Sequence, residues 1–542
     1  MTKKTAPPPE DLSASQSRSC IRRSAALAGS RRLAFVLLLV CTGCTGTREY
    51  LHNGFKVGPN YQRPGAYVAE QWIDAADLRT RENPEILRYW WTAFNDRKLN
   101  ELVTFAYQQN LSLREAGLRV LQARAARAIA AGELFPQQQG ASASYTRSGM
   151  ATNAALGPGM GRFSDSWDFG FSLGWELDFW GRFRRAVAAA DANLDASVED
   201  YDDVLVTLLG DVAVNYVIVR TSQERIALMQ ANVELQQGIV GFIDNRLKKG
   251  FKQTELDLDQ ALSTLRQTEA SIPQLEITRR DAENNLCILL GMPPADLAEM
   301  LGTGPIPAPQ AEVVVGIPAD LLRRRPDVRR AERLAAAQAE EIGIAQADLY
   351  PAFFINGNFG YTARDFPDLF RRAAFNGSVG PSFQWNLLNY GRITNNVRYQ
   401  DARFQELAVA YQRAVLEANN EVEKGLVAFL QAQRRSRLLD ESVVAARKAV
   451  AIVTEQYRAG STDFNRYAVI EQNLVTQQDL AAQAKGEISQ GLIAVYRALG
   501  GGWEIRLGGE VATAEGSAAA APPAAEVRVS PGTAVSRMPA LQ

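Results

Sequence analysis

The chain has little of what catalytic and metal-binding proteins depend on. Its 542 residues include one histidine, His52, which excludes histidine-based triads and multi-histidine metal sites. Cysteine is almost as scarce. Cys20, Cys41 and Cys44 crowd the start, so Cys287 stands alone in the body of the chain and no disulfide framework is possible. Cys287 sits among Leu286, Ile288 and Leu289 and reads as a buried small hydrophobe. Neither charge sign dominates: Lys+Arg 59 against Asp+Glu 60 gives a net charge of -1, so no basic field points to nucleic acid. No apolar run reaches the roughly 20 residues of a membrane-spanning helix, so a membrane crossing would have to be made of strands. There is no P-loop pattern, and the glycine-rich Gly157-Pro158-Gly159-Met160-Gly161 joins two strand patterns, which fits an external loop. We expect no enzyme, no cofactor and no bound metal.

What is present begins with a targeting pattern. Arg22, Arg23, Arg31 and Arg32 precede the apolar run 33–40, and Thr42-Gly43-Cys44 follows. This is a secretory signal whose ending resembles the lipobox of bacterial lipoproteins, in which the cysteine thiol is acylated and becomes the mature N-terminus. Cys44 fits that role, and Thr45 is compatible with outer-membrane sorting. Two features depart from the pattern: Cys41 stands where leucine is usual, and the basic region is long. Ordinary signal cleavage nearby is the alternative.

The body is one unit written twice. Leu134-Phe135-Pro136 returns as Leu349-Tyr350-Pro351, Gly181-Arg182 as Gly391-Arg392, Gly250 as Gly460, and Leu290-Gly291 as Leu499-Gly500. The expected division is a signal peptide at 1–43, a lipid-anchored segment at 44–93, a first copy at 94–300, a linker at 301–318 and a second copy at 319–507. An Ala/Pro-rich tail at 508–542 lacks periodicity and is expected to be disordered.

Within each copy, two strand patterns follow a Leu-aromatic-Pro landmark. Trp167, Phe169, Phe171, Leu173, Trp175, Leu177 and Phe179 alternate with Asp168, Gly170, Ser172, Gly174, Glu176 and Asp178. Phe375, Val379, Phe383, Trp385 and Leu387 repeat the pattern, and Ala141, Ala143, Tyr145 and Phe353, Ile355, Phe359, Tyr361 mark shorter partners. Period two alone suits the half-buried sheet of a soluble protein equally well. Aromatic ends and a polar opposite face favour the outward-apolar, inward-polar wall of a membrane barrel, whose lipid-facing residues would include Trp167, Phe169, Phe171, Trp175, Phe179, Phe383 and Trp385. Four strands cannot close a barrel, and lipid cannot satisfy open edges, so several chains must share one. Three would supply twelve strands.

After each strand pair comes a proline-free helical stretch, Arg182 to Gly250 and Arg392 to Gly460, long enough for roughly 100 Å of helix. Leu194, Val198, Tyr201, Leu205, Leu208 and Val212 step by fours and threes, as coiled coils require. Helices alone would equally suit a periplasmic coiled-coil scaffold lipoprotein without a pore.

Several short motifs resemble the TolC-like outer-membrane efflux factors, in particular their lipoprotein, NodT-type branch. They are 57–64 (VGPNYQRP), 90–96 (WWTAFND), 175–182 (WELDFWGR), 323–328 (RRRPDV) and 499–503 (LGGGW). The resemblance implies a mixed α/β membrane protein: a homotrimer with one twelve-stranded outer-membrane barrel continued by a periplasmic α-helical tunnel. It implies outer-membrane lipid, a periplasmic adaptor (membrane fusion) protein and an inner-membrane pump of the RND type as partners, in a Gram-negative bacterium. The implied function is a passive exit duct, with polypeptide secretion as the alternative to efflux.

The tunnel entrance is expected at the glycine breaks, around Gly250, Glu255 and Asp257 in the first copy and Tyr457, Gly460, Thr462, Asp463 and Arg466 in the second. The resemblance implies that a tyrosine at the position of Tyr457 ties the closed entrance; a core aromatic beside a turn is the other reading. Constricting aspartates of better-studied members are replaced here by Arg466 and Val469. Arg466 would form a positive ring favouring anions if it faces the lumen, or would pair with Glu255 or Asp257 across the tip. Asp463 would cap the returning helix or meet the adaptor.

Overall fold

A computed structural model describes residues 47–74, 77, 80–81, 84–151, 162–250, 255–308, 313–314 and 324–507. Cys44, the 157–161 loop and the 508–542 tail lie outside these. The short helix Thr47–His52 and the 3-10 segment Pro84–Phe94 precede a first set of elements: α1 (Arg97–Gln109), α2 (Leu111–Gly132), β1 (Gln138–Gly149), β2 (Phe163–Leu177), α3 (Arg182–Lys248) and α4 (Glu255–Leu289). A second set follows: α5 (Pro326–Ala347), β3 (Ala352–Ala363), β4 (Phe375–Gln384), α6 (Arg392–Arg458) and α7 (Phe464–Ala498). The two long helices have 67 residues each and the two returning helices 35 each.

The caps explain where helices start. Asp96 accepts from the backbone N–H of Lys98 and Leu99, and Asn110 from that of Leu113. At the strand-to-helix junctions Gly181 and Gly391 both adopt φ +81, a conformation that costs glycine little. Asp178 turns back there and its carboxylate accepts from the N–H groups of Phe183 and Arg184 at 3.0 Å each.

β1 to β4 form one antiparallel sheet in sequential order, with Trp167 opposite Tyr145 on one side and Ala363 on the other. β1 and β4 are open edges. α3 packs along α2, α4, α5 and α7, and α6 packs along α5 and α7. One stretch of α3 is apolar enough to cross a membrane by length and composition, although the sequence showed no unbroken run. It is 67% buried against other helices, so it is core and its hydropathy reflects packing.

The main core forms a belt midway along the helices. Trp90 stacks on Tyr496 at 5.7 Å between centroids, among Phe94, Leu209, Tyr216, Leu286, Phe429 and Ile493. The N-terminal segment is tied to the sheet's base. Buried Arg185 donates to the carbonyls of Val57 (2.6 Å) and Gly58 (2.8 Å) and pairs with Glu340 at 2.6 Å. Arg184 donates to the carbonyls of Gly54 and Phe55 at 2.7 Å each.

Candidate functional site

The sheet has two faces of opposite chemistry. Trp167, Phe169, Phe171 and Trp175 share one face with Phe359, Tyr361 and Phe383. Tyr145 lies against Trp167 at 4.5 Å, and Phe366 and Phe370 from the β3–β4 loop fold back onto Trp167 and Phe169. The other face is a polar ladder. Asp168 accepts from Ser166 (2.9 Å) and Thr362 (2.8 Å), Asn376 donates to Thr362 at 2.9 Å, and Asn356 donates to Ser382 at 2.9 Å.

Two aromatic residues expected in the wall lie past it. β2 ends at Leu177 and β4 at Gln384, so Phe179 and Trp385 stand in the junctions to the helices. Phe179 packs on Trp180 and Phe353, and the Trp385 indole donates to the carbonyl of Leu349 at 3.0 Å. The ladder stops because Asp178 turns to cap α3.

At the opposite end the long helices turn back. Gly250 (φ +73) and Gly460 (φ +75) end α3 and α6, with open space around both. The Gly460 N–H donates to the Tyr457 carbonyl at 3.0 Å and the Ser461 N–H to the Gln456 carbonyl at 2.9 Å, which satisfies the last carbonyls of α6. Asp463 caps α7 by accepting from the Arg466 N–H at 2.8 Å. Glu255 and Asp257 occupy the first turn of α4, where the helix dipole favours carboxylates. Arg246 reaches across to the Arg458 carbonyl at 3.4 Å and stacks on Phe242, joining the two turns.

Tyr457 is buried in an aromatic cluster with Phe242, Phe464 and Tyr467 at 5.7 to 6.2 Å. Its ring is core within the protomer. Arg466 is exposed in the first turn of α7, while Glu255 and Asp257 sit in the first turn of α4. Thr462 is half-buried in the turn.

Sequence reasoning missed Glu471. It is 6% exposed in α7, and burial pushes its carboxyl up to about 7, partly offset by the neighbouring polar groups of Tyr467 and Gln236. The signal was available: Phe464, Tyr467, Glu471 and Leu474 step by three, four and three, which places a carboxylate on the core stripe. Glu471 belongs to a polar seam between α3 and α7, where Arg225 grips Asp479 (2.7 and 2.9 Å) and Asn232 donates to Gln478 at 3.1 Å.

An aromatic-and-polar sheet feeding long paired helices is the arrangement found in known channels. The family described as Outer membrane efflux protein matches residues 102–292 and 317–501. The chain belongs to this family. It is 32% identical over 422 residues to the pyoverdine export outer membrane protein OpmQ of Pseudomonas putida, covering 77% of this chain and 88% of that one. It is 28% identical over 467 residues to Nodulation protein T of Rhizobium leguminosarum bv. trifolii, covering 84% and 96%. Among solved structures, the outer-membrane channel OprN superposes with a TM-score of 0.77 at 32% identity, covering 83% of this chain and 99% of that one. As a family member the chain is an outer-membrane efflux channel component and not an enzyme. Four antiparallel strands and long helices per chain are the TolC-like fold.

Proposed function

We propose that three copies close into one twelve-stranded barrel, held in the outer membrane by an acylated Cys44, and form a passive exit duct for small molecules driven by an inner-membrane pump. The observation that carries this reading is the open sheet: an apolar face, a polar face and two unpaired edges. Lipid cannot satisfy unpaired backbone groups, so the edges must meet those of further copies. Trp167, Phe169, Phe171, Trp175 and Phe383 would face lipid, with Phe179 and Trp385 at the boundary. Residues 44–93 tether the duct, 94–300 and 319–507 are its two copies, and 301–318 joins them.

The entrance lies at the paired turns of Gly250, Glu255, Asp257, Tyr457, Gly460, Thr462, Asp463 and Arg466. A periplasmic adaptor docks there, with an RND-type pump behind it. Arg466 supplies the only charge on the exposed face of α7 from Asn465 to Thr476, so three copies place a positive ring at the narrowest point and favour anions. Single-channel recording of the detergent-extracted protein in a planar bilayer tests this. Arg466→Asp is expected to shift ion preference toward cations. An unchanged preference removes Arg466 from the constriction, and a monomer without conductance returns the reading to a scaffold.

A further inference from the structure

The duplication fixes contacts as well as elements. Within the first hairpin the Trp175 indole donates to the Leu134 carbonyl at 3.2 Å, and within the second the Trp385 indole donates to the Leu349 carbonyl at 3.0 Å. Leu134 and Leu349 are matched landmarks, as are the two tryptophans, so corresponding residues make corresponding contacts. A different contact joins one hairpin to the next. Trp180, beside Gly181, stacks on Tyr350 at 4.5 Å and 27° and donates to the Pro351 carbonyl at 2.8 Å.

The counterpart of Trp180 is Tyr390, beside Gly391, and the counterparts of Tyr350 and Pro351 are Phe135 and Pro136. Within one protomer these cannot meet, because β4 and β1 are opposite edges of the sheet. Tyr390 is instead 95% exposed, and Phe135 is 67% exposed. Tyr390 also holds φ +51, a left-handed backbone that a bulky residue adopts at a cost unless surroundings impose it. Its first-copy equivalent carries the intramolecular stack and no such strain.

From this correspondence we propose that Tyr390 of one copy stacks on Phe135 of the next, an inter-subunit aromatic lock at the base of the barrel. The inference rests on the closed-barrel reading above. The partner is a second copy of this chain, chosen because both open edges and both exposed rings are satisfied by one rotation. Strand pairing within the hairpins sets the register of the joining ladder: Phe169 opposite Ala143 in the first corresponds to Val379 opposite Gly357 in the second, which matches Gly357 to Ala143. β2 pairs Leu173 with Gly357, whose counterparts are Phe383 and Ala143, so Phe383 of one copy stands opposite Ala143 of the next. Both side chains then lie on the apolar face, as the pleat requires.

The test uses the full chain in the outer membrane with the photo-crosslinker p-benzoyl-phenylalanine at position 390, which keeps an aromatic ring there. Irradiation is expected to give covalent dimers and trimers whose crosslinked peptide contains Phe135. A second form, Ala143→Cys with Phe383→Cys, reports the ladder independently through a short bis-maleimide. Ladder crosslinks without any Phe135 adduct would overturn the lock and leave the barrel standing. Native mass spectrometry showing a monomer, with neither crosslink, would sink both.

Discussion

The belt and the tip are built from the same helices and differ in how tightly they are held. In the belt, Asp202 has no exposed surface; it takes Arg506 at 2.9 Å and Arg329 at 3.4 Å, and Trp503 lies under both guanidinium groups. Arg325 is gripped by Asp327 (2.6 Å), Glu421 (2.7 Å) and the Ala498 carbonyl (2.8 Å). Among the described residues the tip has a small cluster around Ile243, Tyr457 and Tyr467, open glycines, and the buried Glu471 carboxyl, raised by burial. Buried charges and dense packing hold the waist, whereas the ion pairs described at the tip, Lys248–Asp244 and Arg458–Glu455, are exposed, so the tip is the less tightly held end.

The sharpest way to break this contrast is to remove a belt charge. Asp202→Ala leaves Arg506 without its carboxylate and Arg329 with Glu199 alone, and breaking a buried ion pair costs about 3–5 kcal/mol. Thermal unfolding in detergent should show the largest loss of any single substitution discussed. A loss no greater than that of a tip variant would mean that the waist is not the anchor.

Next comes Glu471, on the order of 3 kcal/mol from a carboxyl raised from 4.5 to about 7. The sign follows from linkage. The folded tip prefers the neutral acid, so its stability is full below the ordinary carboxylate pKa and falls as pH rises through about 7. Protection factors of α7 amides near Tyr467, which correct for the base-catalysed rise in intrinsic exchange, should fall from pH 5 to 8. Glu471→Gln should flatten that dependence and protect the tip at pH 8, while belt protection factors stay unchanged in both. An equal fall in the belt would place the titration elsewhere.

How far this contrast could be read beforehand depends on the range of the interactions. Strand faces follow from period two and the long helices from missing proline, both local properties. The alternation nevertheless ran on through Phe179 and Trp385 after the ladder had ended, because side-chain pattern does not record where backbone pairing stops. Arg184 and Arg185 bind the segment 54–58 across more than a hundred residues, and nothing in their neighbourhood marks them as buried. Arg466 stood between two readings because a charge near a turn carries no direction until the helix face is known. Glu471 was legible in spacing, but a carboxylate on a core stripe looks like a surface residue unless its period is counted.

Glycines give the finest test, since the same substitution meets two different obstacles. In the belt, a Cβ at Gly486 would fall well inside contact distance of Thr221, so Gly486→Ala should cost about 1–3 kcal/mol through forced displacement. At the tip, a Cβ at Gly460 meets nothing within 4 Å, and the penalty is only that of φ +75, about 1 kcal/mol for an L-residue. Asparagine separates the two causes because it tolerates the left-handed region yet is larger than alanine. Gly460→Asn should therefore recover most of what Gly460→Ala loses, measured as local exchange at 456–464, whereas Gly486→Asn should be worse than Gly486→Ala in thermal unfolding. If asparagine were as harmful as alanine at both sites, the tip would be limited by packing like the belt, and the distinction between a held waist and a free end would fail.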